Sequence, residues 1–379
     1  MEVEKTTSNR KWAIVIGLGL ALSPIHNQYI TEITSIGGRA TLFLPAIGYV
    51  IWILGVMFFC LHNWKDLSIG DRKIFIPLVI LVVAIGISGF VNGETFNSKI
   101  APLFMGVVLL ACYIVARHLG SDIFLMLLPF VIIGIIVSII LGIISPGTSE
   151  GGLLTNYCAS AGYLIFGALV IQGKYQWALI IAVLIGVFFI GALEAVFILG
   201  VLGITVLIRR DFNRNFIIAS GVLVGLVGLW LALGFLTPLY EGNQNIAVLI
   251  RVITGEIVLD DWAMKWITSG RWEVIVDRLQ HINMLGHGYN LGIDLSGTVH
   301  NLPLIIMHQI GPLGAIAWSV VTLYCLIKTK WTYAWVGVIA MCVFDHYIWT
   351  QFAPFWWILV GVSTTSNIKS DLIFRRKNE

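Results

Sequence analysis

Apolar residues run along this chain in long blocks separated by short polar punctuation, at about 12–30, 41–62, 74–91, 100–116, 123–144, 153–172, 176–190, 192–208, 215–236, 302–327, 332–347 and 352–368. Most blocks come close to the ~20 residues that an α-helix needs to cross a bilayer core. The pattern therefore predicts an all-α, polytopic membrane protein of about twelve spans, organised as one integral-membrane domain over residues 1–379. The blocks at 176–190 and 192–208 would make a helix about 50 Å long if continuous, well beyond a core of about 30 Å, so a break falls near Gly191. The one long interruption runs from Pro238 to His300, within a loop over 237–301, ahead of the last three spans over 302–368. It contains two amphipathic patterns, Asn245 to Val258 and Arg271 to Ile282. In the second, Trp272, Ile275, Val276, Leu279 and Ile282 follow a helical period while Glu273 and Asp277 lie on another face. Thr268, Ser269 and Gly270 supply a helix start.

Composition narrows the class. Hydrophobic residues make up 58% of the chain and charged ones 11%, against roughly 25% charged in an average soluble domain, and the mean hydropathy is +0.92. A soluble globule is excluded. Met1 to Ile25 has a charged start and a short apolar stretch, but apolar blocks continue to residue 368, so it is expected to be an uncleaved first span rather than a signal peptide. Cys60, Cys112, Cys158, Cys325 and Cys342 lie within or at the ends of apolar blocks without paired spacing, as packing residues would. The 39 glycines suit membrane helices that approach closely.

Charge sets the expected direction of the spans. With an even number of spans and both termini on the cytoplasmic side of an inner membrane, all but six of the 23 Lys and Arg fall on inner segments, as positive residues tend to do. The six are Arg39, Lys99, Arg251, Lys265, Arg271 and Arg278, and the outer, periplasmic side also holds more than half of the acidic residues. The long loop is thus outward-facing. The basic inner loops are explained by orientation, which leaves a nucleic-acid partner without support. Phe355, Trp349, Trp356 and Trp357 read as an interfacial aromatic belt.

Chemistry concentrates between Ser269 and Gly314. An arginine-bearing helix leads to a Gly286-His287-Gly288 turn and then to His300-Asn301, where the chain re-enters the membrane. Nine residues after Asn301 come Gly311-Pro312-Leu313-Gly314. This His-Asn, nine residues, Gly-x-x-Gly spacing resembles the signature of the O-antigen ligase and O-antigen polymerase superfamily, and Ser-Gly-Arg followed by Leu-Gly-His-Gly is similar to the same family's loop. The motif covers about 45 residues, and the plan of spans extends the likeness loosely to the whole chain.

The resemblance implies a C-type, metal-independent membrane glycosyltransferase with no cofactor. Its donor would be a polyprenyl-diphosphate-linked glycan, and its acceptor lipid A core or another lipid-linked glycan on the periplasmic face. His300, at the membrane boundary, would take the proton of the acceptor hydroxyl, a task suited to an imidazole. Arg271 and Arg278 lie at i and i+7, on one helix face with Cα atoms about 10.5 Å apart. Their forked guanidinium groups can meet a diphosphate and stabilise charge growing on it. The alternative is that they pair with Glu273, Asp277 or lipid headgroups. Arg251 is a further candidate for the same anion, and Asn301 is expected to cap the next helix or orient its neighbour. His287 can line the cleft, although its glycines suggest a tight turn. Asp345 and His346, at the outer end of the eleventh span, form a rival acid/base pair. Ligases of the superfamily carry an arginine at the outer start of the span matching the eighth, where Glu194 stands here. Either Arg251 supplies the missing cation, or Glu194 holds an arginine or accepts a proton.

Other readings stay open at this level. Ligase and polymerase share a donor site and differ in the acceptor. Twelve spans also suit a transporter or flippase, whose charges and broken helices belong near the bilayer midplane, and a relative that binds donor without transferring it would look the same.

Overall fold

The structure, a computed structural model, describes residues 11–20, 43–120, 123, 201, 204, 208, 248, 251–267, 271–289, 301–329, 332–344, 348–349 and 353–365. Among them every regular element is helical. In chain order these are α1 (Lys11–Leu20), α2 (Phe43–Asn63), α3 (Arg72–Asn92), α4 (Phe96–Leu119), α5 (Asp261–Ile267), α6 (Arg271–Gln280), α7 (Leu302–Lys328), α8 (Thr332–Phe344) and α9 (Ala353–Ser363). Helices α3, α4 and α7 are long and apolar enough to cross a membrane, and the chain is a helical, membrane-embedded protein. The blocks expected at 153–172, 176–190 and 215–236 lie outside the described residues, as do nearly all of those at 123–144 and 192–208.

Local sequence explains the boundaries. Asp71 caps α3 by accepting from the Lys73 amide at 2.9 Å, and Thr95 and Ser98 form a reciprocal capping box at the start of α4, each satisfying amides that a helix start leaves free. Only Gly93, Glu94 and Thr95 separate the two helices, which makes them an antiparallel pair. They approach closely because small residues line the seam: a Cβ on Gly89 would stand 2.6 Å from the Pro102 ring, and one on Gly86 would stand 2.8 Å from Leu103. At the other end, Gly361 brings α9 against α4, where a Cβ would lie 2.4 Å from the Tyr113 carbonyl oxygen. Arg117 donates to the Thr364 carbonyl and the Thr365 hydroxyl donates to the Arg117 carbonyl, tying the end of α9 to the end of α4. The block expected to reach residue 368 leaves the helix after Ser363. Thr364 and Thr365 turn their hydroxyls back onto the carbonyls of Val360 and Gly361, which competes with further helical bonding.

Helix α7 runs antiparallel to α3. Its first half meets the end of α3, where the Ser88 hydroxyl donates to the Gln309 carbonyl, and near its other end the Tyr324 hydroxyl donates to Asp71 at 3.4 Å. Tyr113 of α4 also reaches that end, donating to the Ile69 carbonyl at 3.0 Å. Arg72, Lys73, Arg117 and Lys328 therefore share one end of the bundle, the segregation the charge pattern predicted for these spans.

The aromatic residues correct the sequence reading. Phe355, Trp356 and Trp357 are 1% exposed and Trp349 is 2% exposed, so they form a packed core rather than an interfacial belt. Trp318 stacks on Trp356, with ring centroids 5.7 Å apart. Apolar contact gains little where the alternative solvent is itself hydrocarbon, so helix association leans on packing and on hydrogen bonds of ~0.6–2 kcal/mol each. The indoles supply both: Trp356 donates to Thr322 at 3.2 Å, Trp335 to Ser363 at 3.0 Å and Trp349 to Gln309 at 2.7 Å. Cys112, Cys325 and Cys342 are buried and Cys60 is half-buried, all four outside any disulfide, as packing residues would be. Cys158 lies outside the described residues.

One span is broken. Gly311 sits inside α7 at φ 78° and ψ 171°, a conformation open in practice to glycine. Pro312 follows and has no amide, which removes the helical donor for the carbonyl four residues earlier, that of His308. A Cβ at Gly311 would stand 2.1 Å from the Met284 carbonyl oxygen. Gly311→Ala is expected to lower the thermal unfolding midpoint of the detergent-solubilised protein more than Gly255→Ala. Gly255 also has positive φ but meets nothing within 4 Å, so its substitution costs only the local strain of about 1 kcal/mol. Equal shifts would show that the close approach at Gly311 contributes nothing.

Candidate functional site

The break in α7 is filled by the long loop. The amide of His287 donates to the His308 carbonyl at 2.8 Å, supplying the donor that Pro312 cannot, and the amide of Gly288 donates to the Gln309 carbonyl at 3.1 Å. Ser88 of α3 ties the two together, since its hydroxyl donates to the Gln309 carbonyl and accepts from the Gly288 amide at 3.0 Å. Asn92 adds a bond to the Gly286 carbonyl at 3.2 Å. The turn reaches this depth because Gly286 and Gly288 adopt φ 73° and 108°, and a Cβ on Gly286 would meet the Gln309 carbonyl oxygen at 2.2 Å. The tight turn expected from Gly-His-Gly is present, and its role is to latch the loop to the bundle.

The latch brings three candidate side chains together, one of which the sequence reading missed. Arg278, half-buried on α6, donates through Nη1 to Nε2 of His308 at 3.2 Å. The His308 ring stacks on that of His287, with centroids 4.3 Å apart and planes 22° off parallel. His287 in turn donates from Nε2 to the His281 carbonyl at 2.8 Å. The guanidinium can only donate and the His281 carbonyl can only accept, so Nε2 of His308 is the acceptor and Nε2 of His287 the donor in these bonds. His308 and Gln309 are adjacent polar residues in an otherwise apolar block, a signal for function inside a membrane that the motif at either end overshadowed.

Electrostatics set Arg278 apart from the other loop cations. Arg251 is exposed and pairs with Glu256 at 3.3 Å, Lys265 pairs with Glu273 at 3.2 Å, and Asp277 lies 3.5 Å from His281. Glu273 and Asp277, the acidic partners proposed for the arginines, thus stand beside Lys265 and His281 rather than Arg278, and the Arg271 side chain lies outside the described residues. Among the described residues no carboxylate lies within ion-pair distance of Arg278. The buried amide nitrogen of Gln309 also lacks a hydrogen-bond partner. Tyr289, just past the turn, is buried edge-on against Trp349 at 5.5 Å. Burial, and secondarily Tyr49, push its phenol above the ordinary range, so it stays protonated. Among the described residues no three His, Cys, Asp or Glu side chains converge as a metal set.

The remaining candidates divide as follows. Asn301 caps α7, its side chain accepting from the Leu304 amide at 3.2 Å, so the capping reading holds. Helix α6 begins at Arg271, and its period places position 271 on the face that carries Arg278. The pattern expected over 271–282 is helical to Gln280, but its face toward the bundle is that of Val274, Ile275 and Arg278. The pattern expected over 245–258 leaves the helix after Ile253. Gly255 takes φ 77° there and the amides of Glu256 and Ile257 fold back to the Arg251 carbonyl, a glycine stop. Glu194, His300, Asp345 and His346 lie outside the described residues, as do Thr268, Ser269 and Gly270.

No family model, no curated protein and no solved structure matches the chain.

Ser88→Ala is expected to remove one of the two acceptors of the Gly288 amide and the hydroxyl bond to the Gln309 carbonyl, weakening the latch by about 0.5–1.5 kcal/mol for each hydrogen bond lost. Hydrogen–deuterium exchange at Gly288 should accelerate severalfold, up to about tenfold for a loss of 1.4 kcal/mol. Unchanged exchange would remove Ser88 from the latch.

Proposed function

We propose that this protein is a membrane glycosyltransferase that moves a glycan from a polyprenyl-diphosphate carrier to an acceptor on the periplasmic face of the inner membrane. It acts as an O-antigen ligase does, with lipid A core or a similar lipid as acceptor. The observation that carries the reading is Arg278: a half-buried guanidinium, held by an imidazole and without a carboxylate among the described residues. A cation partly removed from water without a counter-ion favours an anionic ligand, and a guanidinium fork suits a diphosphate. The motif that resembles the O-antigen ligase and polymerase superfamily supports the same assignment through its backbone roles. Asn301 starts α7 and Gly311 permits the break that receives the loop. Arg271, seven positions before Arg278 on α6, joins it on the diphosphate, and His300 takes the acceptor's proton. The sugar carbon then passes from diphosphate oxygen to acceptor oxygen, and the leaving diphosphate keeps the bonding electron pair. Both termini are cytoplasmic in this reading, in keeping with the basic end shared by α3, α4 and α7.

A polymerase is the same chemistry with a lipid-linked glycan as acceptor. A transporter is the second reading, favoured by the break in α7, since interrupted helices line many transport sites. The carbonyls of that break are occupied by the chain's own amides, which weighs toward a fixed site.

Purified protein with polyprenyl-diphosphate glycan, lipid A core and a chelator is expected to yield glycosylated core. A ladder of lengthened lipid-linked glycan would make it a polymerase instead. Product with neither acceptor from folded protein would overturn the transferase reading. In the same assay His300→Ala should abolish transfer without unfolding the protein. Arg271→Lys and Arg278→Lys should each lose most activity despite keeping the charge, because the fork is lost; normal turnover by any of the three would remove the role assigned to that residue.

A further inference from the structure

The described part of the loop carries apolar side chains left exposed among the described residues. On α6, Val274, Ile275 and Arg278 turn toward the bundle, while Val276 and Leu279 lie on a neighbouring stripe, Leu279 at 52% exposure. The stripe continues past the helix through Ile282, Met284 and Leu285, with Met284 at 75%. Glu273 and Asp277 occupy the remaining face and are also exposed. Three faces on one short helix, one against protein, one apolar and one acidic, require two different surroundings outside the protein.

The latch fixes where this stripe stands relative to the bilayer. Gly286, directly after Met284 and Leu285, is bonded to Asn92, the last residue of α3. Ser88, which holds Gly288, lies four residues earlier, roughly 6 Å inside the end of the span. At this same end the apolar side chains of Phe90, Val91 and Phe96 are exposed, so the spans meet lipid up to that level. Lys99 folds its ammonium over the Phe90 ring at 5.4 Å, as a cation at a membrane boundary does when its stem lies along apolar surface. The exposed stripe therefore runs up to the same end of α3 at which the spans meet lipid.

We propose that the loop lies along the bilayer, with Val276, Leu279, Ile282, Met284 and Leu285 inserted among the lipid chains of one leaflet and Glu273 and Asp277 turned to water. The occupant of the stripe is lipid, which the spans meet at that same end, and the mode is that of an interfacial amphipathic helix. The inference does not depend on the transferase reading. It sets Arg278 and His308 at headgroup depth, where an anion carried by a lipid reaches them without leaving the membrane.

The test places the photoreactive residue p-benzoylphenylalanine at Leu279, Met284, Glu273 or Phe90 of the full chain, reconstituted in nanodiscs of phosphatidylethanolamine and phosphatidylglycerol. Products are read by mass spectrometry on variants that elute as folded protein. Lipid adducts are expected at Leu279 and Met284 at yields within about threefold of the Phe90 reference, and at Glu273 at least tenfold lower. Adducts at Phe90 without adducts at Leu279 and Met284 would overturn the proposal, as would cross-links from those two positions to a second copy of the chain.

Discussion

A helix interrupted inside an apolar bundle must find new donors for the carbonyls it frees, because neither lipid nor packed hydrocarbon can supply them. The break at Gly311 and Pro312 imposes that requirement, and much of the described site follows from it. The donors come from the Gly-His-Gly turn and from Ser88, so the loop is held in place by its own backbone amides together with the side chains of Ser88 and Asn92 on α3. Once the turn is seated, His287 has to lie over His308, and α6 has to present Arg278 to the imidazole. The cation's position is thus a consequence of how an interrupted span satisfies its own backbone.

The rest of the bundle obeys the same economy of polar groups. Its tryptophans sit inside, and each buried indole with a partner finds it on a neighbouring helix: Trp356 at Thr322, Trp335 at Ser363, Trp349 at Gln309. Gln309 connects the two systems, since its carbonyl belongs to the latch and its side chain receives Trp349. Glycine seams at Gly86, Gly89 and Gly361 bring α3 and α9 into close contact with α4. Specificity comes from a few directional contacts placed in an environment that is otherwise indifferent to which apolar surface meets which.

Much of this was legible in the chain. Span boundaries at α3, α4 and α7 follow from block length, and Asn301 was expected as the cap of α7. Arg278 and His287 were visible as candidates because the loop is long and their neighbours form a recognisable pattern. His308 and Ser88 were not, since each is one polar residue in an apolar block and only the fold brings them within reach of a segment some 20 or 200 positions away. The aromatic belt misled for a related reason: a tryptophan cluster near the end of a span has the same composition whether its indole partner is a headgroup or Thr322. Which side of α6 turns inward was equally hidden, because a helical period defines stripes and does not say which of them meets protein.

The double duty of Ser88 also bears on how the molecule is made. Its hydroxyl closes a junction with residues 200 and 221 positions further along the chain, so it enters the membrane long before either partner has been synthesised. Until α7 is inserted and the preceding turn folds back, α3 carries an unanswered polar group in its apolar wall. Assembly of this end of the bundle is therefore a late and concerted event, and an α7 that fails to break leaves the loop with nowhere to dock.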